Sequence, residues 1–247
     1  MAVDYTKPRP SVPDPTASGS PVVTPPSTAN PVGSPGGVSL SKVTLTKASP
    51  SVSLTKSATG GLLRVNLNWT ARPAEASKGG FFKRALASAA PGIDLDLGCL
   101  YEFNDGSKGA VQALGNSFSA KAAFTDQRVI WLDGDDRSGS NTGGENLFVN
   151  LEFARNIRRV LVFASIYQGA PNWAAANGVV TLIPASGPEV EVRLDEHDPK
   201  SSMCAIALLE FNGSEVSVRR EVKYIHGAQD VLDRTYQWGM NWSPGRK

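Results

Sequence analysis

An acidic, glycine-rich stretch between two apolar runs is the part of the chain best suited to chemistry. It spans residues 133–146 and carries four carboxylates, on Asp133, Asp135, Asp136 and Glu145. Carboxylates crowded in this way repel one another, and they stay ionised only when water or a cation offsets their charge. Glycines let such a loop curl until its oxygen atoms point at one centre. Hard oxygen ligands on a flexible loop favour calcium over a transition metal, whereas a solvated hairpin tip is the simpler alternative.

A second acidic pair lies on residues 93–97, where apolar residues and aspartates alternate strictly. In a strand, this spacing puts Asp94 and Asp96 on one face and the apolar side chains on the other. Two like charges on one face cost stability unless something positive lies between them. A strand with a water-facing side explains the same pattern without a ligand. If the strand lies beside the acidic loop, however, the two segments form a carboxylate cage for a divalent ion.

The elements that must position these carboxylates are short strands. The chain has 247 residues, of which 40% are hydrophobic, and ten to twelve apolar runs are separated by Gly, Pro and Asn. This punctuation predicts an all-β fold, a β-sandwich of two antiparallel sheets with the acidic stretch as an edge loop. Residues 63–69 alternate most cleanly, and residues 159–166 predict a strand buried on both faces. Residues 230–238 are compatible with either a helix or a closing strand.

The first 37 residues differ in composition from the rest of the chain. They hold nine of the seventeen prolines together with many Ser, Thr and Gly residues. Such a segment buries too little apolar surface to offset the entropy of ordering. We therefore expect a disordered arm at residues 1–37, followed by one β-sandwich domain at residues 38–247.

Charge and hydropathy exclude several classes of partner. The formal net charge is +2 with scattered Lys and Arg, which gives no indication of nucleic-acid binding. No apolar run reaches membrane-spanning length, and the N-terminus lacks a secretory signal. Cys99 and Cys204 lie in apolar runs and predict buried thiols, with a single disulfide as the alternative. We therefore expect a cytoplasmic protein that is not inserted into a membrane.

The usual catalytic constellations are mostly absent from the sequence. Neither His197 nor His226 has the helical partner of a zinc hydrolase, and nothing beside the acidic loop reads as a nucleophile or general base. The sequence therefore predicts a protein that is not an enzyme, and a metal-dependent hydrolase is the least favoured alternative. A calcium-dependent lectin that uses Trp173 or Trp131 as a sugar platform is the stronger alternative.

Several motifs together resemble the tellurium-resistance TerD-type stress-protein family. They are the acidic strand at residues 94–97 and the two parts of the acidic loop at residues 134–139 and 145–147. Four further motifs are similar to the TerA branch of that family, at residues 96–102, 108–115, 169–173 and 192–197. The resemblance runs from about Val38 to the C-terminus.

The resemblance implies a calcium-binding β-sandwich that takes part in resistance to tellurite and other stresses. Carried over to this sequence, it assigns the calcium ligands to Asp94, Asp96, Asp135, Asp136 and Glu145. It also implies that the partners are other Ter-family proteins, including a membrane-embedded one. The family's usual Asn-rich strand between the two acidic motifs is not found here, so we predict one well-formed calcium site and leave a second open. The calcium-bound loop would serve as a docking face in a stress-response assembly.

Overall fold

The computed structural model describes residues 42–54, 60–70, 92–134 and 143–243. The predicted arm at residues 1–37 and two of the predicted calcium ligands, Asp135 and Asp136, lie outside these ranges. No helix in the described ranges is long and apolar enough to cross a bilayer.

Within the described ranges, twelve strands form two six-stranded sheets, and a short helix, α1 (Trp173–Ala176), lies between two of the strands. The first sheet has the strand order β1-β10-β9-β3-β7-β6 and the second has the order β2-β12-β11-β8-β4-β5. The strands are β1 (Lys42–Thr44), β2 (Ser51–Ser53), β3 (Leu62–Asn68), β4 (Asp94–Phe103), β5 (Lys108–Gln112), β6 (Ile130–Leu132), β7 (Glu145–Asn150), β8 (Ile157–Gln168), β9 (Gly178–Ile183), β10 (Glu189–Leu194), β11 (Met203–Asn212) and β12 (Glu215–Ile225).

The two sheets enclose one apolar core, as a β-sandwich requires. On β3 the residues Leu63, Val65 and Leu67 are buried and the residues between them are more exposed, so the predicted alternation is confirmed. Every strand pair in the sheets is antiparallel except β1–β10, which is parallel. The predicted sandwich is therefore confirmed, with this one parallel pair as a correction.

A C-terminal helix covers the outer face of the second sheet. Residues 229–236 form helix α2 (Gln229–Tyr236), which settles the alternative that the sequence left open. The helix begins after Ala228 and ends at Gln237, whose left-handed backbone (φ 54°) terminates it. Leu232 of α2 and the following Trp238 pack in a second apolar cluster with residues of β4, β8 and β11. The middle of β8 is therefore buried on both sides, as its apolar run predicts.

Both cysteines are buried free thiols, so the disulfide alternative is wrong. Burial raises the pKa of the Cys99 thiol to about 12. It also raises the pKa of the Cys204 thiol far above its ordinary value. Neither thiol is therefore ionised at neutral pH, and both act as small apolar core residues.

Candidate functional site

The start of the acidic strand lies at the edge of the second sheet and contacts the opposite sheet through its backbone. β5 pairs with β4 only from Gly98 to Glu102, so residues 94–97 extend beyond the end of β5. Glu145, the first residue of β7 in the first sheet, shares the inward face of that strand with Leu147. Its Oε2 accepts a hydrogen bond from the Leu97 backbone N–H at 2.7 Å. This contact joins the two sheets and brings the acidic strand and the C-terminal end of the acidic loop to one edge.

The three described acidic residues at this edge are buried. The exposed fraction is 0% for Asp94, 6% for Asp96 and 2% for Glu145. Leu95 and Leu97 belong to the core between the sheets, so the two aspartates occupy the opposite face of β4, as the alternation predicts. The alternative of a water-facing strand is therefore wrong, because that face is shielded from solvent. Buried carboxylates require compensation of their charge or a bound proton.

A set of hydrogen bonds closes the base of the acidic loop. The Asp133 carboxylate accepts from the Asn146 backbone N–H at 3.1 Å and from its side-chain Nδ2 at 2.8 Å. Asn66 Nδ2 of β3 donates to Gly143 O at 2.6 Å and to Asn146 Oδ1 at 2.9 Å. These contacts hold the two ends of the loop together where β6 and β7 meet. The loop therefore begins and ends next to Glu145.

Gly144 lies at this closure with a left-handed backbone and without room for a side chain. Its φ is 65°, and a Cβ atom built there would lie 2.1 Å from Leu67 O. We expect Gly144→Ala to lower the free energy of unfolding by about 1–3 kcal/mol, because the backbone must distort to relieve the clash. Gly134→Ala is the matched control in the same loop, since a Cβ there has open space, and it should stay within about 0.5 kcal/mol of the unsubstituted protein. Urea denaturation measures both, and equal midpoints would contradict this reading of Gly144.

The described carboxylates are oxygen donors of the kind that calcium prefers, but they do not form a complete metal site by themselves. Asp94, Asp96 and Glu145 offer carboxylate oxygens, and a carboxylate has about four lone-pair positions. Glu145 can therefore accept the Leu97 N–H and still bind a cation. Within the described ranges, no three acidic, histidine or cysteine side chains are close enough together to hold a metal ion. The predicted ligand set also includes Asp135 and Asp136, so the described residues supply only part of it.

The two tryptophans of the lectin alternative lie in different environments. Trp173 is fully buried, and its Nε1 donates to Ser201 O at 2.6 Å, so it anchors a loop and is not a sugar platform. Trp131 is partly exposed and stacks on Phe148, with 5.3 Å between the ring centroids and 17° between the planes. The Arg128 guanidinium lies 5.7 Å from the Trp131 ring. Of the two sugar platforms proposed for a lectin, Trp173 is therefore excluded by its burial.

The histidines lie on the surface near residues 195–198. His226 Nε2 lies 2.7 Å from Asp198 Oδ2. The pKa of the Asp198 carboxyl is held below its usual range by the Lys200 backbone N–H, with His226 as a further cause. Both side chains of this pair are substantially exposed, so it contributes little to stability.

Sequence reasoning missed a buried ionic cluster around Glu102. Glu102 is 2% exposed and accepts from Arg158 Nη1 at 2.5 Å and from Arg159 Nε at 2.6 Å. The Arg159 guanidinium lies 3.8 Å from the Trp238 ring centroid, and Lys108 Nζ donates to Trp238 O at 2.8 Å. The cluster therefore fastens the end of α2 to the second sheet. The adjacent Arg158 and Arg159 were visible in the sequence, but their partner was not.

A curated protein that is similar to this chain is named as a tellurium resistance protein. The chain is 42% identical over 210 residues to the tellurium resistance protein TerA of Alcaligenes sp., a match that covers 85% of this chain and 60% of that protein. The chain thus spans about 60% of the length of this curated relative.

A solved structure is also similar, although less closely. It is the crystal structure of a homologue of the telluride resistance protein TerD from Streptomyces coelicolor A3(2), with 18% identity and a TM-score of 0.45. The match covers 73% of this chain and 98% of that one. No protein-family model matches the chain. The identity to TerA over most of this chain supports its assignment to the TerA/TerD family of tellurium-resistance proteins.

Proposed function

We propose that this protein is a non-enzymatic, calcium-binding stress-response protein that acts as a docking module beside other Ter-family proteins. The observation that supports it best is the hydrogen bond from Leu97 to Glu145. This contact brings two acidic segments that are distant in sequence to one edge of the sandwich. The name of the TerA relative connects that protein with tellurium resistance, and we extend this role to the present chain.

Calcium would offset the negative charge of the carboxylates gathered at the acidic edge. Asp94, Asp96, Asp135, Asp136 and Glu145 would hold the ion. Glu145 is the residue that connects the two segments, because its carboxylate already binds the backbone of β4. The hydrogen bonds between Asp133 and Asn146 hold the two ends of the loop beside this edge. A bound ion would then join the two acidic segments and create a defined surface for a partner protein.

Calcium is expected to raise the melting temperature of the full chain relative to a sample in EDTA. A ligand that binds only the folded state adds about 2.7 kcal/mol at a hundredfold excess over its dissociation constant. For a domain of this size, that corresponds to a shift of roughly 5–10 °C. Differential scanning calorimetry with and without calcium measures it.

Glu145→Gln is the diagnostic variant for this shift. Glutamine keeps an oxygen that accepts the Leu97 N–H but removes the negative charge. The variant should therefore fold and lose most of the calcium-dependent shift. Glu215→Gln is the control, since Glu215 is exposed at the start of β12, and it should keep the full shift. Superimposable curves with calcium and with EDTA for the unsubstituted protein would refute calcium binding.

The docking role has its own test. We expect the full chain to capture Ter-family proteins, including a membrane-embedded one, from cells that express them, and to do so only with calcium present. EDTA and Glu145→Gln should both abolish the capture, because each removes the ion from the proposed docking surface. Capture that is equally strong in EDTA would separate partner binding from calcium and contradict this mechanism.

A further inference from the structure

A cavity of about 860 Å³ lies between the turn that follows β5 and the first turn of α2. Residues 110–117 form one wall, residues 228–230 form the opposite wall, and residues 241–243 close one side. We call this cavity the Trp242 groove. Gln229 Nε2 donates to Gln112 Oε1 at 3.1 Å, so a hydrogen bond joins the two walls. The predicted calcium ligands are not among the described residues that line it.

The Trp242 ring is held rigidly in this groove. Its Nε1 donates to Asp233 Oδ2 at 3.0 Å. The same carboxylate, on a residue that is 3% exposed, also accepts the backbone N–H groups of Gly239 at 2.8 Å and Met240 at 3.0 Å. Because its N–H group is occupied, the indole can contact a ligand in the groove only through its ring atoms. Trp242 remains partly exposed, and it also lines a neighbouring cavity of about 490 Å³.

The polar groups of the groove are almost all uncharged. Gln112, Asn116, Ser117 and Gln229 provide amide and hydroxyl groups. Asn116 follows Gly115 in a tight turn where both residues have positive φ, 55° and 79°. Among the lining residues that the structure describes, Asp230 alone is ionisable, and it pairs with Arg234 at 3.0 Å.

The aromatic ring and the uncharged polar groups of the Trp242 groove indicate which class of ligand it would bind. Phosphates and nucleic acids are bound through Lys and Arg, and the described lining contains neither. A fixed aromatic face beside amide and hydroxyl groups suits a ring that is apolar on one side and carries hydroxyl groups at its rim. We propose that the Trp242 groove binds a neutral saccharide. This inference is independent of the calcium proposal, since it depends on other residues.

The test uses the full chain on an array of neutral and anionic saccharides, followed by titration calorimetry with the best neutral sugar. Trp242→Ala should weaken binding on the order of tenfold, and Trp242→Phe should restore most of it because it keeps an aromatic face. Asn116→Gly is the second variant. Glycine tolerates the positive φ and the replaced side chain is exposed, so folding should be preserved while binding weakens several-fold.

Two controls separate this site from the acidic edge. Tyr167→Ala removes an aromatic residue that is 50% exposed elsewhere, and it should leave saccharide binding unchanged. EDTA and Glu145→Gln should also leave it unchanged. The proposal is overturned if no neutral saccharide binds at millimolar concentration, if folded Trp242→Ala and Asn116→Gly proteins bind as tightly as the unsubstituted one, or if chelation abolishes binding.

Discussion

Glu102→Ala is expected to lower the free energy of unfolding by about 3 kcal/mol at pH 7. The substitution leaves the Arg159 guanidinium, which is 23% exposed, without its carboxylate partner. Arg158 is 64% exposed and adds little to this cost. The loss should also loosen the end of α2, because Arg159 lies over the Trp238 ring. Urea denaturation measures the change, and Glu215→Ala at an exposed position should stay within about 0.5 kcal/mol.

The effect of Glu102→Ala should depend on pH in a defined direction. Burial alone raises the pKa of the Glu102 carboxyl. Hydrogen bonds from Arg159 and Arg158, with the charges of Arg159 and Lys108, outweigh burial and hold the pKa below its usual value of 4.5. A lowered pKa means that the ionised form is preferred in the folded state. Its stabilising contribution is complete above the unfolded pKa and is lost as the pH falls through the folded value.

The difference in unfolding free energy between the unsubstituted protein and Glu102→Ala should therefore shrink below about pH 4.5. Denaturation curves at several pH values from about 3 to about 7 measure this difference, because carboxyl groups titrate in the lower part of that range. If the difference in unfolding free energy stayed constant across this range, the negative charge of Glu102 would not be what stabilises the cluster.

Trp173→Ala is expected to cost about 4 kcal/mol, the second large effect. The indole is fully buried, and its loss leaves a cavity and removes the donor to Ser201 O. Helix α1 (Trp173–Ala176) also binds residues 196–197, through Ala174 N to Glu196 O and Asn172 Nδ2 to His197 O, so the neighbouring loop should loosen as well.

Trp173→Phe is the matched variant, because it keeps an aromatic ring and removes the N–H donor. It should cost about 1–3 kcal/mol, mainly from the unsatisfied Ser201 carbonyl. Chemical denaturation of both variants gives the comparison. If Trp173→Ala changed stability by less than about 0.5 kcal/mol, the residue would behave as an exposed platform and its role as an anchor would be wrong.

The strands could be predicted because their signal is local. The alternation in β3 and the apolar run in β8 follow from the two-residue period of a strand. Helix α2 could not be assigned, since its eight residues are too few for a stable isolated helix. It is stabilised by packing on the second sheet, and that contact is set by the fold. The parallel pairing of β1 with β10 is likewise a long-range contact.

The candidate site was predictable only in its parts. The acidic strand and the acidic loop are each visible in the sequence, but their meeting at Leu97 and Glu145 depends on the order of strands in two different sheets. Burial of Asp94 and Asp96 depends on what covers β4, which alternation does not reveal. Glu102 was missed for the same reason, because its pairing with Arg159 requires the register between β4 and β8.

Titration calorimetry of calcium into the metal-free protein tests the central claim most directly. The account predicts saturable binding to the full chain, with at least one ion per molecule and a dissociation constant of roughly millimolar or tighter. It also predicts that Glu145→Gln abolishes this binding while Glu215→Gln leaves it unchanged. Absence of calcium binding to the folded protein, or equal binding by Glu145→Gln, would contradict it.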